Sequence, residues 1–304
     1  MTPLRIATRG SPLALWQARW VAAALTPDLG GRPVEWVILR TTGDEMQSPP
    51  LAAIGGAGLF TREIQRAVRD GQADLAVHSL KDLPTAATPG LILAAIPERG
   101  PVADVLVSTR WPSLDQLPPQ ARIATGSPRR AALLRHRRPD LRFEPLRGNI
   151  ETRLRKLEEQ GLDAIILAEA GLNRLDLGQR ITERLDPAWM VPAVGQGALA
   201  VEVRADDGAT LALTARIDHA ATRQETSAER ALLRTLGSGC QLPVGALGRV
   251  SAGQLVVHAV VLDRDGRERL EAKVGGDPAA AEPLGEALGV ELLGRGAGRL
   301  LAGI

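Results

Sequence analysis

The sequence predicts an α/β fold of two lobes joined by hinge crossings, followed by a small α+β C-terminal domain. Three observations predict it. Strand and helix signals alternate over roughly the first hundred residues, and a second alternating stretch follows the turn-rich crossing Ile96-Pro97-Glu98-Arg99-Gly100-Pro101. From about Thr222 the pattern changes to one helix, three strands and a last helix. At 304 residues the chain is long enough for two or three domains with real cores.

In chain order, Leu4–Ala7 reads as a short strand. Ser11 and Pro12 supply an N-cap and a proline at the first helical position, opening an amphipathic helix through Leu25. Val34–Leu39 is a second strand. Gly55-Gly56-Ala57-Gly58 leads into a helix over Leu59–Asp70 closed by Gly71, and Ala73–Val77 is a buried strand. This βαβαβ order predicts a mostly parallel sheet with helices on both faces. In the second lobe Asp104–Ser108, Arg122–Ala124 and Ala164–Leu167 are strands, and Pro128–Arg137 and Ile150–Gln160 are helices. Val191-Pro192-Ala193-Val194-Gly195-Gln196-Gly197 is a return crossing before the strand Ala198–Val203. The last region reads as a helix to Leu236, strands at Val244–Val250, Leu255–Leu262 and Glu268–Val274, and a helix from Ala279 to the end.

Composition narrows the function. With 44% hydrophobic and 24% charged residues the chain is globular, and its single cysteine, Cys240, cannot form an internal disulfide. The start has no signal-peptide pattern and no stretch nears the roughly 18 apolar residues of a membrane span, so a cytoplasmic protein with no membrane partner is expected. Net charge is only +2, yet residues 122–156 carry ten Arg and Lys156 against Asp140, Glu144 and Glu151, a local balance of +8. A concentrated basic segment in an otherwise acidic chain points to an anionic ligand. Nucleic acid is a poor fit, since Phe143 is the one aromatic residue in that segment.

Several motifs sharpen this. The Gly55–Gly58 loop lacks the Lys-Ser/Thr of a phosphate-binding loop, and a tight turn explains it. His78, His136, His219 and His258 have no metal-ligand spacing, so no metal is expected. Cys240 sits in Leu236-Gly237-Ser238-Gly239-Cys240-Gln241; a lone cysteine is most often an inert small hydrophobe, but flanking glycines uncover the sulfur and make a reactive or modified thiol credible. His78-Ser79-Leu80-Lys81-Asp82 puts polar residues at the end of an apolar strand, where open α/β sheets carry ligand groups. Thr125-Gly126-Ser127-Pro128-Arg129-Arg130 and Leu146-Arg147-Gly148-Asn149 each place Arg beside a helix N-terminus. Positive charge there opposes the helix dipole unless an anion lies between.

Arg5-Ile6-Ala7-Thr8-Arg9-Gly10-Ser11-Pro12-Leu13-Ala14, Gly58-Leu59-Phe60, His78–Pro84, Thr125–Arg130, Leu146–Asn149, Pro192–Ala198 and Gly239-Cys240-Gln241-Leu242-Pro243 stand in an order that resembles the porphobilinogen deaminase (hydroxymethylbilane synthase) family over nearly the whole chain. The resemblance implies two lobes similar to periplasmic binding proteins, at residues 1–97 with 198–216 and at 102–192, and a third domain at 220–304 carrying the cysteine. It implies a monomeric transferase of tetrapyrrole and heme biosynthesis that condenses four porphobilinogen molecules into hydroxymethylbilane, on a dipyrromethane cofactor joined to Cys240 by a thioether. Asp82 is implied as the catalytic carboxylate. Lys81, Asp82, Thr125, Ser127, Arg129, Arg130, Arg147 and Gly148 are implied around the cofactor, and Arg9, Ser11, Phe60, Arg147, Arg153, Arg174 and Gln196 around the substrate. The sequence departs from the family pattern at Ala53 and Ala57, where Lys is usual, at Gly126, where Ser or Thr is usual, and at Gly237, where an acid is usual.

Overall fold

The computed structural model describes residues 1–41, 58, 61–237 and 242–302. In chain order the elements among them begin with β1 (Leu4–Arg9), α1 (Pro12–Leu25), β2 (Val34–Leu39), α2 (Arg62–Arg69), β3 (Leu75–Ser79) and β4 (Leu91–Ala95). They continue with β5 (Asp104–Val107), β6 (Arg122–Ala124), α3 (Pro128–Arg137), β7 (Arg142–Glu144), α4 (Ile150–Glu159), β8 (Ala164–Ala168), α5 (Glu169–Arg174) and β9 (Glu183–Leu185). The remainder are β10 (Leu199–Arg204), α6 (Gly208–Thr214), α7 (Ala220–Thr235), β11 (Val244–Ser251), β12 (Gln254–Leu262), β13 (Arg269–Gly276), α8 (Ala281–Gly294) and α9 (Ala297–Leu301). The chain divides into two compact units, Met1–Gly100 with Ala198–Arg223, and Pro101–Gly197 with Gln224–Ile304.

The first unit is built on a five-stranded sheet in the order β2-β1-β3-β10-β4. Its central strand β3 is buried on both faces, which helices cover. Ala18, Val21, Ala22 and Leu25, recurring at helical spacing along α1, pack with Leu4, Ile6, Leu75, Val77 and Val201 on one face, while Ile64 and Val68 of α2 pack with Ala7 and Ala76 on the other. The second unit repeats the plan with the order β7-β6-β8-β5-β9. Leu133 and Leu134 of α3 meet Leu106, Ile123 and Ile166, and Leu154 and Leu157 of α4 meet Val105, Val107, Ala124 and Ile165. Leu106 and its neighbours Val105 and Val107 thus point to opposite faces, as the two-residue period of a strand requires. Each such leucine contributes about 1.5–3 kcal/mol of burial.

The antiparallel sheet β11-β12-β13 belongs to the second unit. Leu255, Val257, Ala259 and Val261 face Leu232 of α7 and Leu288, Leu292 and Leu300 of α8 and α9, and Val260 and Leu262 on the opposite face join the core of the α3 side. Glu229, fully buried in α7, accepts hydrogen bonds from Gly195 N at 2.7 Å and Gly248 N at 2.8 Å, which ties this helix to both the return crossing and β11.

Three expectations need correction. The sheets are mixed rather than mostly parallel: β1 runs parallel to β2 and β3, but β10 runs antiparallel to β3 and β4, because the return crossing brings the chain back into the sheet from the opposite direction. The sequence reading omitted β4, β7 and β9. The last helix stops at Gly294, since Gly296 adopts a left-handed conformation (φ 96°) that ends it before α9.

Candidate active site

In the first unit, the functional residues lie where the parallel strands β1 and β3 end. Arg9 ends β1 and Ser11 caps α1, its Oγ accepting from Ala14 N at 3.3 Å. β3 ends at Ser79 and turns at once into a single 3₁₀ turn, Leu80–Asp82. The alternation Leu-Lys-Asp-Leu explains that turn. Leu80 and Leu83 are buried with Ile96, Ala198 and Ala200, and Leu80 N donates to Ala198 O at 3.0 Å, so Lys81 and Asp82 are left half-buried on the open side. Arg9, Ser11, Leu13, Ala14, Gln17, Thr61, Ile64, Val77, His78, Ser79 and Asp82 line one cavity of about 60 Å³. Gln17 Nε2 donates to Ser79 Oγ at 2.8 Å and fixes the floor. Sequence reasoning missed Gln17, although it stands on the buried stripe of α1, where an amide among alanines and leucines signals a polar task.

In the second unit the ends of β6, β7 and β8, mutually parallel through β6, carry the corresponding groups. Thr125 N donates to Glu144 O at 2.9 Å, so the loops after β6 and β7 run side by side. They touch at Gly126, where a Cβ would come within 2.5 Å of Leu146 O. Ser127 caps α3 (Arg130 N to Oγ, 3.4 Å) and Asn149 caps α4 (Thr152 N to Oδ1, 2.8 Å). Gly148 has φ 112°, a backbone shape that favours glycine, and a Cβ there would meet Thr152 Cγ2 at 2.6 Å. Arg153 Nε donates to Gly148 O at 2.7 Å and Lys156 Nζ to Arg147 O at 3.1 Å, which stiffen this turn. The half-buried Arg147 guanidinium makes no ion pair among the described residues. Arg174, on the helix after β8, donates from Nη2 to Gly197 O at 2.6 Å, and burial pushes its guanidinium down to about 10, still charged at neutral pH.

Arg129 and Arg130 are placed differently from the sequence expectation. Both are buried, and Asp104, at the start of β5 and fully buried, takes Arg129 Nη2 at 2.7 Å and Arg130 Nε at 2.9 Å. Backbone carbonyls of Val191 and Ile166 take one Nη1 from each. Burial pushes the Asp104 carboxyl up, but the two guanidiniums and the Gln196 amide outweigh it and hold it down at about 2. Burial lowers Arg129 in turn. Gln196, expected around the substrate, is fully buried, donating to Val102 O at 2.8 Å and Asp104 Oδ1 at 2.9 Å. Asp104 itself was not foreseen. Phe60 and Cys240, with Ala53, Ala57 and most of the Gly55–Gly58 loop, lie outside the described residues. Among the described residues no group of His, Cys, Asp or Glu is arranged to hold a metal, and no helix is long and apolar enough to cross a membrane.

The model of the family described as porphobilinogen deaminase, dipyromethane cofactor binding domain, matches residues 4–212, and that of the porphobilinogen deaminase C-terminal domain matches residues 223–294. The chain belongs to the porphobilinogen deaminase family. Porphobilinogen deaminase of Desulforudis audaxviator is 48% identical over 98% of this chain and 96% of its own length. That of Syntrophotalea carbinolica is 48% identical over 99% of this chain and 96% of its own. Among solved structures, the methionine-binding protein MetQ aligns with a TM-score of 0.45 and 12% identity over 75% of this chain and 91% of that one. The fold class of this porphobilinogen deaminase family member rests on its own two five-stranded α/β sheets and the three-stranded sheet that follows.

Proposed function

We infer that the chain joins four porphobilinogen molecules head to tail with loss of ammonia and releases the linear tetrapyrrole hydroxymethylbilane. The observation that carries this reading is Asp82: a half-buried carboxylate held by two locked leucines in a cavity that also presents Arg9 and Ser11. As ammonia leaves, positive charge builds on the pyrrole of the substrate. A preorganised carboxylate accepting the pyrrole N–H stabilises that charge where it develops. Lys81 and Arg9 face the acetate and propionate groups that each pyrrole carries, and Ser11 offers a hydroxyl to the same groups.

The arginine-bearing turns of the second unit fit a polyanionic pyrrole chain. Among the described residues the buried Arg129 Nε has no hydrogen-bond partner and the half-buried Arg147 fork makes no ion pair, and Gly148 beside it is exposed. Thr125, Ser127, Arg147 and Gly148 are assigned to the dipyrromethane group together with Arg129 and Arg130, and Arg147, Arg153 and Arg174 to the carboxylates of added substrates. When bound, that group supplies the pyrrole end onto which substrate is added, through a thioether to Cys240. Gln196 is assigned a supporting role through Asp104, and Phe60 an apolar contact to substrate. The chain is read as a cytoplasmic monomer of porphyrin and heme biosynthesis, in three domains at residues 1–97 with 198–216, 102–192 and 220–304, without nucleic-acid or membrane partners. The test is incubation of the purified chain with porphobilinogen. Release of about one ammonia per substrate consumed, together with a linear tetrapyrrole, supports the reading, and consumption of no substrate contradicts it.

A further inference from the structure

We propose that Asp104 is a positioning residue: a built-in carboxylate that aligns the Arg129 and Arg130 forks at the start of α3 and leaves them charge for one ligand carboxylate. The inference rests on the reading that these arginines serve an anionic pyrrole chain. Its basis is a charge balance in a closed space. The side chains of Asp104, Arg129 and Arg130 are 0%, 3% and 7% exposed, so two guanidiniums share one carboxylate and one positive charge is uncompensated. A buried charge without a partner is costly, and Arg129 Nε, buried and without a hydrogen-bond partner among the described residues, marks where compensation is missing.

The rest of the arrangement is fixed from behind. Gln196 Nε2 holds Asp104 Oδ1 at 2.9 Å, and Val191 O and Ile166 O hold the far nitrogens of Arg129 and Arg130 at 2.6 Å and 2.9 Å. Neither fork can rotate without breaking a buried hydrogen bond. A ligand that brings one short alkyl carboxylate, such as the acetate or propionate arm of a pyrrole, completes the balance. A second one finds its charge already taken by Asp104.

The experiment uses the full chain produced in cells unable to make porphobilinogen, then exposed to increasing porphobilinogen while the covalent adduct is followed by intact mass. Asp104→Asn is isosteric but removes the charge and turns a hydrogen-bond donor toward the guanidiniums. It should fold, by circular dichroism, and load with a half-saturating concentration raised at least about tenfold while the plateau stays near wild type, the loss expected when a charge-assisted partner goes. Asp104→Glu keeps the charge and should stay within about threefold of wild type. A purely structural role predicts a different readout: stranding two buried guanidiniums lowers the Tm and the loaded plateau of the Asn variant, while the half-saturating concentration of its folded fraction stays at the wild-type value. A Glu variant impaired as much as the Asn variant, or an Asn variant that loads like wild type, overturns the proposal. Should Asp104→Asn fail to fold, Asp104→Glu alone decides: wild-type-like loading supports it, a tenfold shift overturns it. A wild-type chain that gains no adduct at all overturns the functional reading underneath, and this inference with it.

Discussion

Asp82 sits on a one-turn helix whose flanking Leu80 and Leu83 are locked in the core, so exchanging its carboxylate for an amide changes charge and little else. Asp82→Asn should therefore keep its fold and lose roughly 100- to 1000-fold in turnover, about 2.7–4 kcal/mol of transition-state stabilisation, with a smaller change in KM. Steady-state ammonia release measures both. Unchanged turnover with a raised KM would restrict Asp82 to holding substrate. Arg147→Leu, removing a fork that makes no ion pair among the described residues, should weaken capture of the pyrrole chain by about 1.5–3 kcal/mol, with Lys only a partial rescue; mass spectrometry should find unloaded chain or stalled adducts. Asp104 makes a pH prediction. Its pKa is lowered to about 2, so the stability it contributes is complete above its unfolded value near 4 and is lost as pH falls through about 2. Urea unfolding of wild type should lose about 2 kcal/mol more between pH 6 and pH 2 than unfolding of Asp104→Asn does. The position of Asp82 was legible in the sequence, as a polar residue ending an apolar strand where open α/β sheets carry ligand groups, while its catalytic role came from the family resemblance alone. Asp104 was not: beside Val105-Leu106-Val107 it reads as the edge of a strand, and only the fold brings Arg129, Arg130 and Gln196 onto it.

Among the elements, the helix starts were the easiest to read, since Ser11, Ser127 and Asn149 each cap the helix that follows and two of them precede proline. The strands β4, β7 and β9 escaped. β7 and β9 are three-residue strands carrying Arg and Glu, paired because neighbouring strands leave them a hydrogen-bonding edge rather than because of any periodicity of their own. The close approach of two loops at Gly126 was equally hidden. Restoring the family's usual residue there, Gly126→Ser, puts a Cβ against Leu146 O with no flexible side chain to yield. It should cost about 1–3 kcal/mol of stability and loosen the Arg147 turn, seen as a lower Tm together with slower loading by porphobilinogen. A Tm equal to wild type would mean that the two loops separate freely.

At the scale of the whole molecule, the basic segment was visible as a charge sum, but part of its charge is spent internally. Arg122 pairs with Glu144, Arg138 with Asp140, Arg155 with Glu159, and Arg129 and Arg130 share Asp104. Phe143, its one aromatic, lies under Arg135 at 4.8 Å, engaged with its own chain rather than set out for base stacking. The +8 balance therefore points to an anion-binding segment without identifying which of its residues would meet the anion. Alternating strand and helix signals gave the two α/β lobes, while the direction of β10 depends on a return crossing whose course no local pattern encodes. The central claim is that the lone cysteine carries two linked pyrroles on which the product is built. Intact mass of the chain after porphobilinogen, with peptide mapping, tests it most directly: an adduct of two pyrrole units confined to Cys240 and absent in Cys240→Ser is the predicted result, and an unmodified, fully active wild-type chain would contradict it.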